Sequence, residues 1–98
     1  MDFDFRFLPT AEQDIEEATD YYANISFKVL KNFSKQIDIS ISNILGNPYF
    51  QKRFRSVRAL PVKNFPYIIF YEVDEDEKMT YILSVFCTHQ NPEKYPKI

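Results

Sequence analysis

The chain is poor in the residues that mark several classes of protein. Its 98 residues include one glycine, one cysteine, one histidine and no tryptophan. A single cysteine excludes an internal disulfide, and one cysteine with one histidine cannot complete a zinc site. The sequence therefore predicts no metal, indicates no cofactor, and favours a reducing compartment, the cytoplasm.

Long apolar stretches are also missing. No segment approaches the run of about 18 apolar residues that a membrane-spanning helix needs, and the first residues lack the regions of a secretory signal. Ten Phe and seven Tyr nevertheless supply a strongly aromatic core. We expect one soluble domain over residues 1–98, with no membrane association.

Charge is low overall but unevenly distributed. The net charge of −2 argues against binding free nucleic acid by bulk electrostatics. Residues 1–24 hold seven acids and one base, residues 25–66 eight bases and one acid, and residues 67–98 six acids and three bases. The basic middle is a candidate binding surface, although cations on an outer strand also protect a sheet edge from pairing. Both interpretations stay open at this stage.

Four segments have the composition of β-strands. Residues 67–73 form an apolar run with apolar groups on both faces, which is typical of a central strand. Residues 3–7 alternate Phe with charged residues, and residues 54–60 have a mixed pattern. In residues 79–87, simple alternation predicts one face with Tyr81, Leu83, Val85 and Cys87 and another with Ile82 and Phe86.

Two helices are predicted between the first two strands. Thr10 and Gln13 match a capping box, so the first helix is expected from about Ala11 to Ala23, with its acids on a solvated face. The second helix is expected to start after Ser26 and to end at Leu45, followed by a left-handed Gly46. Apolar positions of both helices follow the 3-4 spacing of a core stripe: Ala11, Ile15, Ala18, Tyr22, Leu30, Phe33, Ile37, Ile41 and Ile44.

The order of these elements is β-α-α-β-β-β. It predicts an α+β fold, in which an antiparallel sheet of about four strands has an N-terminal helical hairpin packed on one face. Because the hairpin covers one face only, part of the other face is expected to meet solvent or a partner.

Four groups of residues, in their order and spacing, resemble the RelE/ParE family of bacterial toxins. They are Ala11-x-x-Asp14-Ile15-x-x-Ala18-x-x-Tyr21-Tyr22, Asn47-Pro48, Arg58-x-Leu60 with Phe65-Pro66-Tyr67-x-Ile69-x-Tyr71, and Val85-x-x-Thr88-His89-x-x-Pro92-x-x-Tyr95. The resemblance implies a growth-arresting toxin of a type II toxin-antitoxin system, of the plasmid stabilisation type, held inactive by a cognate antitoxin.

Two targets are known in this family, and the residues bear on the choice. RelE-like members cut messenger RNA on the ribosome, which requires proton transfer and cations on the developing charge. For that chemistry the candidates are Arg58, Lys63, His89 and Tyr95. RelE-like nucleases usually have arginines at two positions that Ile68 and Thr88 occupy here. The departure favours the other target.

ParE-like members bind and poison DNA gyrase without hydrolytic chemistry of their own. The resemblance therefore favours a ParE-like toxin, with an antitoxin and gyrase as partners, over an enzyme. Its target-binding candidates are Arg53, Arg55, Arg58, Lys63 and His89. The ribosome-dependent endoribonuclease remains the alternative, and a non-toxic module that only binds an antitoxin is the alternative of another class.

Overall fold

A five-stranded sheet with two helices packed on one face forms the framework of the protein. The computed structural model describes residues 4–46, 52–54 and 56–88, with the backbone alone for residues 52–54. Its elements are β1 (Asp4–Phe7), α1 (Pro9–Ala23), α2 (Phe27–Gly46), β2 (Lys52–Phe54), β3 (Val57–Pro61), β4 (Tyr67–Asp74) and β5 (Met79–Cys87). The predicted α+β class is confirmed, and the elements follow the predicted order, with the predicted second strand divided into β2 and β3.

The sheet is mixed rather than fully antiparallel. Its strand order is β1-β5-β4-β3-β2, and β1 pairs parallel with β5, with Asp4 opposite Met79. The other three pairs are antiparallel. The segment predicted as one strand over residues 54–60 is instead part of the β2–β3 pair, in which Phe54 lies opposite Val57.

The central strand β4 has the two apolar faces that its sequence predicts. Tyr67, Ile69 and Tyr71 pack in the core beneath the helices, and each is at most 8% exposed. Phe70 points to the opposite face, where it joins a second buried cluster with Ile68 at its margin. Neighbouring strands on both edges account for this two-sided burial.

Strand β5 departs from simple alternation. The register between β4 and β5 shifts, with Phe70 opposite Ser84 and Tyr71 opposite Ile82, so Leu83 is an extra residue on β5. Ile82 therefore packs in the core with Val85, whereas Leu83 joins the opposite face with Phe86. The predicted partition of Ile82 and Leu83 between the two faces is wrong because of this bulge.

Helix α1 begins at Pro9, two residues before the predicted start. Leu8 is the N-cap and makes no side-chain capping bond, so the predicted capping box at Thr10 is wrong. Proline is suited to the first helical position because its fixed φ is already helical and no partner for an N–H is needed there. The predicted core stripe is confirmed, with Ala11, Ala18 and Tyr22 buried.

Helix α2 begins as predicted and ends differently. The Val29 N–H donates to Ser26 Oγ at 3.0 Å, which is the expected N-cap bond. The helix includes Gly46, however, and no described glycine has a positive φ. The left-handed positions are instead Asn64 (φ 70°) and Lys78 (φ 55°), in the turns that precede β4 and β5.

An aromatic cluster joins the hairpin to the sheet. Phe33 of α2 is 1% exposed, and its ring centroid lies 4.9 Å from Tyr22, 5.3 Å from Phe65 and 5.3 Å from Tyr67. Ring pairs at these separations add attraction beyond their burial. Phe33 is therefore the point at which both helices and β4 meet.

The face away from the helices carries a second buried cluster, with Ile68 and Leu83 partly buried at its margin. Val57, Ala59, Phe70 and Phe86 there are between 0% and 6% exposed.

The described residues also include one buried side-chain polar atom without a hydrogen-bond partner, the Thr80 hydroxyl oxygen in β5. An unpaired buried hydroxyl destabilises the fold, since its hydration is lost without replacement.

Candidate functional site: a basic strand pair and an acidic groove

The described basic residues among those predicted for target binding lie on or next to the β2–β3 pair. Arg53 is in β2, and Arg58 is in β3, where its neighbours across the sheet are Lys52 and Tyr71. Residues directly opposite each other point to the same face, so Arg58 shares the helix-bearing face with Tyr71. Arg58 is half-buried.

Lys63 lies beyond the end of β3, in the turn that leads to β4, and it is exposed. Five residues separate it from Arg58, which corresponds to roughly 16 Å of extended chain. Within the basic group, Arg58 therefore lies in the sheet and Lys63 in an exposed turn. Arg55, His89 and Tyr95 lie outside the described residues, as does the side chain of Arg53.

Uncharged side chains occupy both positions at which the resemblance implies arginines in RelE-like nucleases. Ile68 packs against the cluster of Phe70 and Phe86 on the face away from the helices. Thr88 follows β5 and is tied to the preceding turn, because its N–H and its hydroxyl both donate to the Pro66 carbonyl, at 2.8 and 3.2 Å. Neither side chain can neutralise a phosphate.

A groove of about 460 Å³ lies between α1 and the adjoining ends of β4 and β5. We call it the α1 groove. Its apolar wall includes Tyr21, Tyr22, Ile25, Pro66, Tyr67 and Cys87, and its acidic side chains are Asp14 and Glu17. None of the described residues that line it is a lysine or an arginine.

Asp14 connects α1 to the bulge of β5. Its Oδ2 accepts hydrogen bonds from the Ser84 hydroxyl at 2.9 Å and from the Val85 N–H at 3.0 Å. Burial raises the pKa of Asp14 above its ordinary value of 3.8, against the opposing effect of these two hydrogen bonds, and the nearby Glu17 carboxylate raises it further. Asp14 is therefore a half-buried carboxylate, not a member of a solvated face.

The hydroxyl groups of two tyrosines meet at the floor of this groove. Tyr67 is hydrogen-bonded with Tyr22 and with the Cys87 thiol, and burial is the main reason that the pKa of Tyr67 is raised well above its ordinary value of 10.0. Burial also raises the pKa of Tyr22. Both phenols therefore stay protonated and neutral across the physiological range.

Large apolar side chains are exposed where the two helices join. Tyr21 is 61% exposed, Ile25 is 55% exposed and Phe27 is 76% exposed. Of the predicted tyrosine pair, Tyr22 packs in the core as expected, whereas Tyr21 lies largely in solvent with its ring at 5.0 Å from that of Tyr22. Tyr21 and Ile25 also line the α1 groove, so the exposed apolar surface continues into it.

A second groove, of about 430 Å³, runs on the other side of α1 between β1 and α2. Phe5 and Phe7 of β1 border it, with their rings in edge contact at 5.7 Å, and Phe5 is 41% exposed. The opposite wall is the apolar side of α2, including Ile37 and Ile41. This groove holds one acidic residue, Asp38.

Metal-binding clusters and membrane-spanning helices are both absent from the described ranges. No three His, Cys, Asp or Glu side chains there are grouped in a way that could hold a metal ion. None of the described helices is long and apolar enough to cross a membrane.

The sequence indicates the basic strand but not the α1 groove. The acid-rich pattern of α1 places Asp14 on the solvated face, although it lies three residues after Ala11 and four before Ala18, next to the buried stripe. That spacing is the signal that separates it from the exposed Glu12, Glu16 and Asp20. Its partner Ser84 is 70 residues away, so no local pattern predicts the contact.

The described residues form a small α+β fold with a basic strand pair and two grooves beside α1. Residues 5–92 match the family model for the ParE toxin of the type II toxin-antitoxin system, parDE. The chain therefore belongs to the ParE toxin family of the RelE/ParE superfamily, as its motifs predict.

Two solved structures have a similar fold. The chromosomal ParDE TA system from P. aeruginosa contains a chain that is 18% identical with a TM-score of 0.72, and the match covers 89% of this chain and 97% of that one. The toxin-antitoxin complex RelBE2 from Mycobacterium tuberculosis contains a chain that is 16% identical with a TM-score of 0.52, covering 87% and 96%. At these identities the likeness shows the fold alone. No curated protein sequence matches the chain.

Proposed function

We propose that this toxin arrests growth in the ParE manner, by binding DNA gyrase in the cytoplasm and poisoning it without chemistry of its own. We further propose that a cognate antitoxin binds the toxin and holds it inactive. The family match supports the first proposal, and the second agrees with the two similar structures, both of which are described as toxin-antitoxin systems or complexes.

The observation that carries the choice of target is the environment of Ile68. A nuclease acting on RNA must stabilise the charge that develops on the phosphate, and preorganised cations supply that stabilisation. Ile68 packs into an apolar cluster at one of the two positions for such a cation, and Thr88 bonds to the Pro66 carbonyl at the other. Binding a protein target has no such requirement.

The proposed target-binding surface is the basic group on and beside β2 and β3. Arg58 is fixed in the sheet, whereas Lys63 is exposed in a turn. Cations on such a surface steer an acidic partner and strengthen its binding. Arg53, Arg55 and His89 are the other residues that we propose for target binding, on the grounds of sequence alone.

Two assays on the purified protein separate the targets. We expect inhibition of supercoiling, with accumulation of cleaved DNA, when gyrase is incubated with the toxin. We expect no cleavage of messenger RNA on translating ribosomes. Cleavage of the message with gyrase unaffected would refute the proposal in favour of the nuclease, and absence of both activities and of growth arrest would favour the non-toxic antitoxin-binding module.

A matched pair of lysine variants tests the surface. Lys63→Glu should weaken gyrase inhibition by about tenfold, since a reversed charge at an interface costs on the order of 1–2 kcal/mol. Lys31→Glu makes the same charge change at an exposed position on α2 and should leave inhibition unchanged. Equal loss in both variants would indicate that only the net charge matters, and no loss in either would remove Lys63 from the surface.

A further inference from the structure

The α1 groove has an acidic end and an apolar end. Asp14, Glu17, Ala18 and Tyr21 follow one stripe of α1, and all of them line the groove. Seven residues of helix separate Asp14 from Tyr21, a distance of about 10 Å along the axis. The carboxylates therefore lie about two turns from the exposed ring of Tyr21 and its neighbour Ile25.

The acidic end lacks a counter-charge from the groove itself. Asp14 and Glu17 are close enough to repel each other, and no described lysine or arginine lines the groove. Both hydrogen bonds that Asp14 accepts are to Oδ2, from neutral donors. A half-buried carboxylate in these surroundings gains from an incoming cation, because the lost hydration is replaced by a charged partner.

Large apolar side chains are exposed at and near the apolar end of the groove, where α1 joins α2. Tyr21, Ile25 and Phe27 are each more than half exposed within seven positions of the chain. Tyr21 and Ile25 line the groove, and exposed apolar surface next to charge marks sites where proteins bind one another. Aromatic residues next to a cavity are also the usual anchors of such sites.

We propose that the α1 groove is a docking site for a cationic amphipathic segment of a partner protein, with a lysine or arginine at Asp14 and Glu17 and a large apolar side chain against Tyr21 and Ile25. The distance between the acidic and apolar ends of the groove sets the spacing of the two matching side chains on the segment. If it is helical, its cation and its apolar anchor lie about seven positions apart, because that spacing also spans about 10 Å. The inference is independent of whether gyrase or the ribosome is the target.

Two synthetic peptides provide defined probes of this site. Both are fluorescently labelled amphipathic 15-residue helices with the same leucine stripe, flanked by lysines in one and by glutamates in the other. The lysine peptide should bind the purified protein at least tenfold more tightly than the glutamate peptide at about 0.1 M salt, and the difference should shrink as salt screens the charges. Equal binding of both peptides, or no binding of either below 1 mM, would refute the proposal.

Matched charge variants locate the binding. The double variant Asp14→Asn with Glu17→Gln should weaken the lysine peptide by five- to tenfold and leave the glutamate peptide unchanged or improved. The double variant Glu75→Gln with Asp76→Asn removes the same two charges from the exposed turn between β4 and β5, and it should change neither affinity. Equal weakening by both double variants would show bulk electrostatics and overturn the site.

The exposed apolar end is tested by Tyr21→Ser, which removes a largely exposed anchor that contacts the core at the ring of Tyr22. It should weaken both peptides by about fivefold, while circular dichroism shows that the variant keeps the wild-type fold. Unchanged affinity would remove Tyr21 from the site.

The remaining occupant to distinguish is a second copy of the chain, since α2 carries Lys28, Lys31 and Lys35 on its exposed side. Sedimentation of the wild type and of Tyr21→Ser tests this directly. A monomer in both cases supports a foreign segment. A wild-type dimer that dissociates in Tyr21→Ser would show that the chain occupies its own groove, and the proposal of a foreign partner would fail.

Discussion

Replacing Asp14 by alanine should destabilise the fold far more than an exposed acid on a helix would. The change removes the acceptor of two hydrogen bonds, from the Ser84 hydroxyl and the Val85 N–H, and both donor residues are at most 7% exposed. Hydrogen bonds to a charged acceptor contribute about 1.5–3 kcal/mol each. The relieved burial of the charge offsets part of the loss, because the same burial raises the pKa of Asp14.

We therefore expect Asp14→Ala to lower the free energy of unfolding by about 2–3 kcal/mol. For a domain of this size the corresponding fall in melting temperature is about 8–24 °C. Asp14→Asn keeps a carbonyl oxygen that can accept from the same donors, so its loss should be about 0–1 kcal/mol. Urea unfolding followed by circular dichroism measures both values.

The control for this prediction lies on the same helix. Glu17 is exposed, and its side chain accepts a hydrogen bond from the Gln13 amide, so Glu17→Ala should stay within about 0.5 kcal/mol of the wild type. A double-mutant cycle with Ser84→Ala should show a coupling to Asp14 of about 0.5–2 kcal/mol. If Asp14→Ala costs no more than Glu17→Ala, the connection between α1 and β5 does not stabilise the fold as argued.

Three further predictions concern stability. Because the pKa of Asp14 is raised, the folded state keeps the carboxyl proton above pH 3.8, where the unfolded chain releases it. The stability of the wild type relative to Asp14→Asn should therefore be greatest below about pH 3.8 and should fall as the pH rises through the folded pKa. Urea unfolding of both proteins from about pH 3.5 to 7.5 measures this difference. Phe33→Ala should cost about 3–5 kcal/mol, because it leaves a cavity between Tyr22, Phe65 and Tyr67; calorimetry that shows a loss under 1.5 kcal/mol would contradict this central role. Thr80→Val should raise stability by about 1 kcal/mol, since it replaces an unpaired buried hydroxyl by a methyl group, and a lower urea midpoint would indicate that the hydroxyl has a partner after all.

The parts of the fold that the sequence predicts correctly are those in which burial repeats with a fixed period. The stripe of α1 at Ala11, Ala18 and Tyr22 and the two faces of β4 follow from the 3.6-residue and two-residue periods alone. The α+β class follows from the order of these elements.

The parts that the sequence does not predict depend on contacts between distant residues. The bulge at Leu83 lies next to Ser84, whose side chain bonds to Asp14 across 70 positions, so the alternation within β5 cannot reveal it. The start of α1 was misplaced for a different reason. Pro9 suits both a strand end and a first helical turn, and only the backbone conformation at Leu8 decides between them.

The candidate site likewise has one part that the sequence predicts and one part that depends on contacts between distant residues. The basic residues of β2 and β3 could be identified from composition because charge segregation is visible in the sequence. The α1 groove could not, because residues from α1, β4 and β5 form it together. The resemblance shows that Ile68 stands where RelE-like nucleases usually have an arginine, and the structure shows that Ile68 packs against Phe70 and Phe86.

The parallel pairing of β1 with β5 means that the sheet cannot be completed until most of the chain has been synthesised. Asp4 and Met79 pair across 75 positions, the difference between their numbers, so β1 has no partner strand until β5 has been synthesised. At about 5–20 residues per second, a nascent chain spends roughly 4–15 s without this contact. The α1 groove needs β5 as well, and a partner that recognises it would therefore distinguish a finished toxin from one still being made.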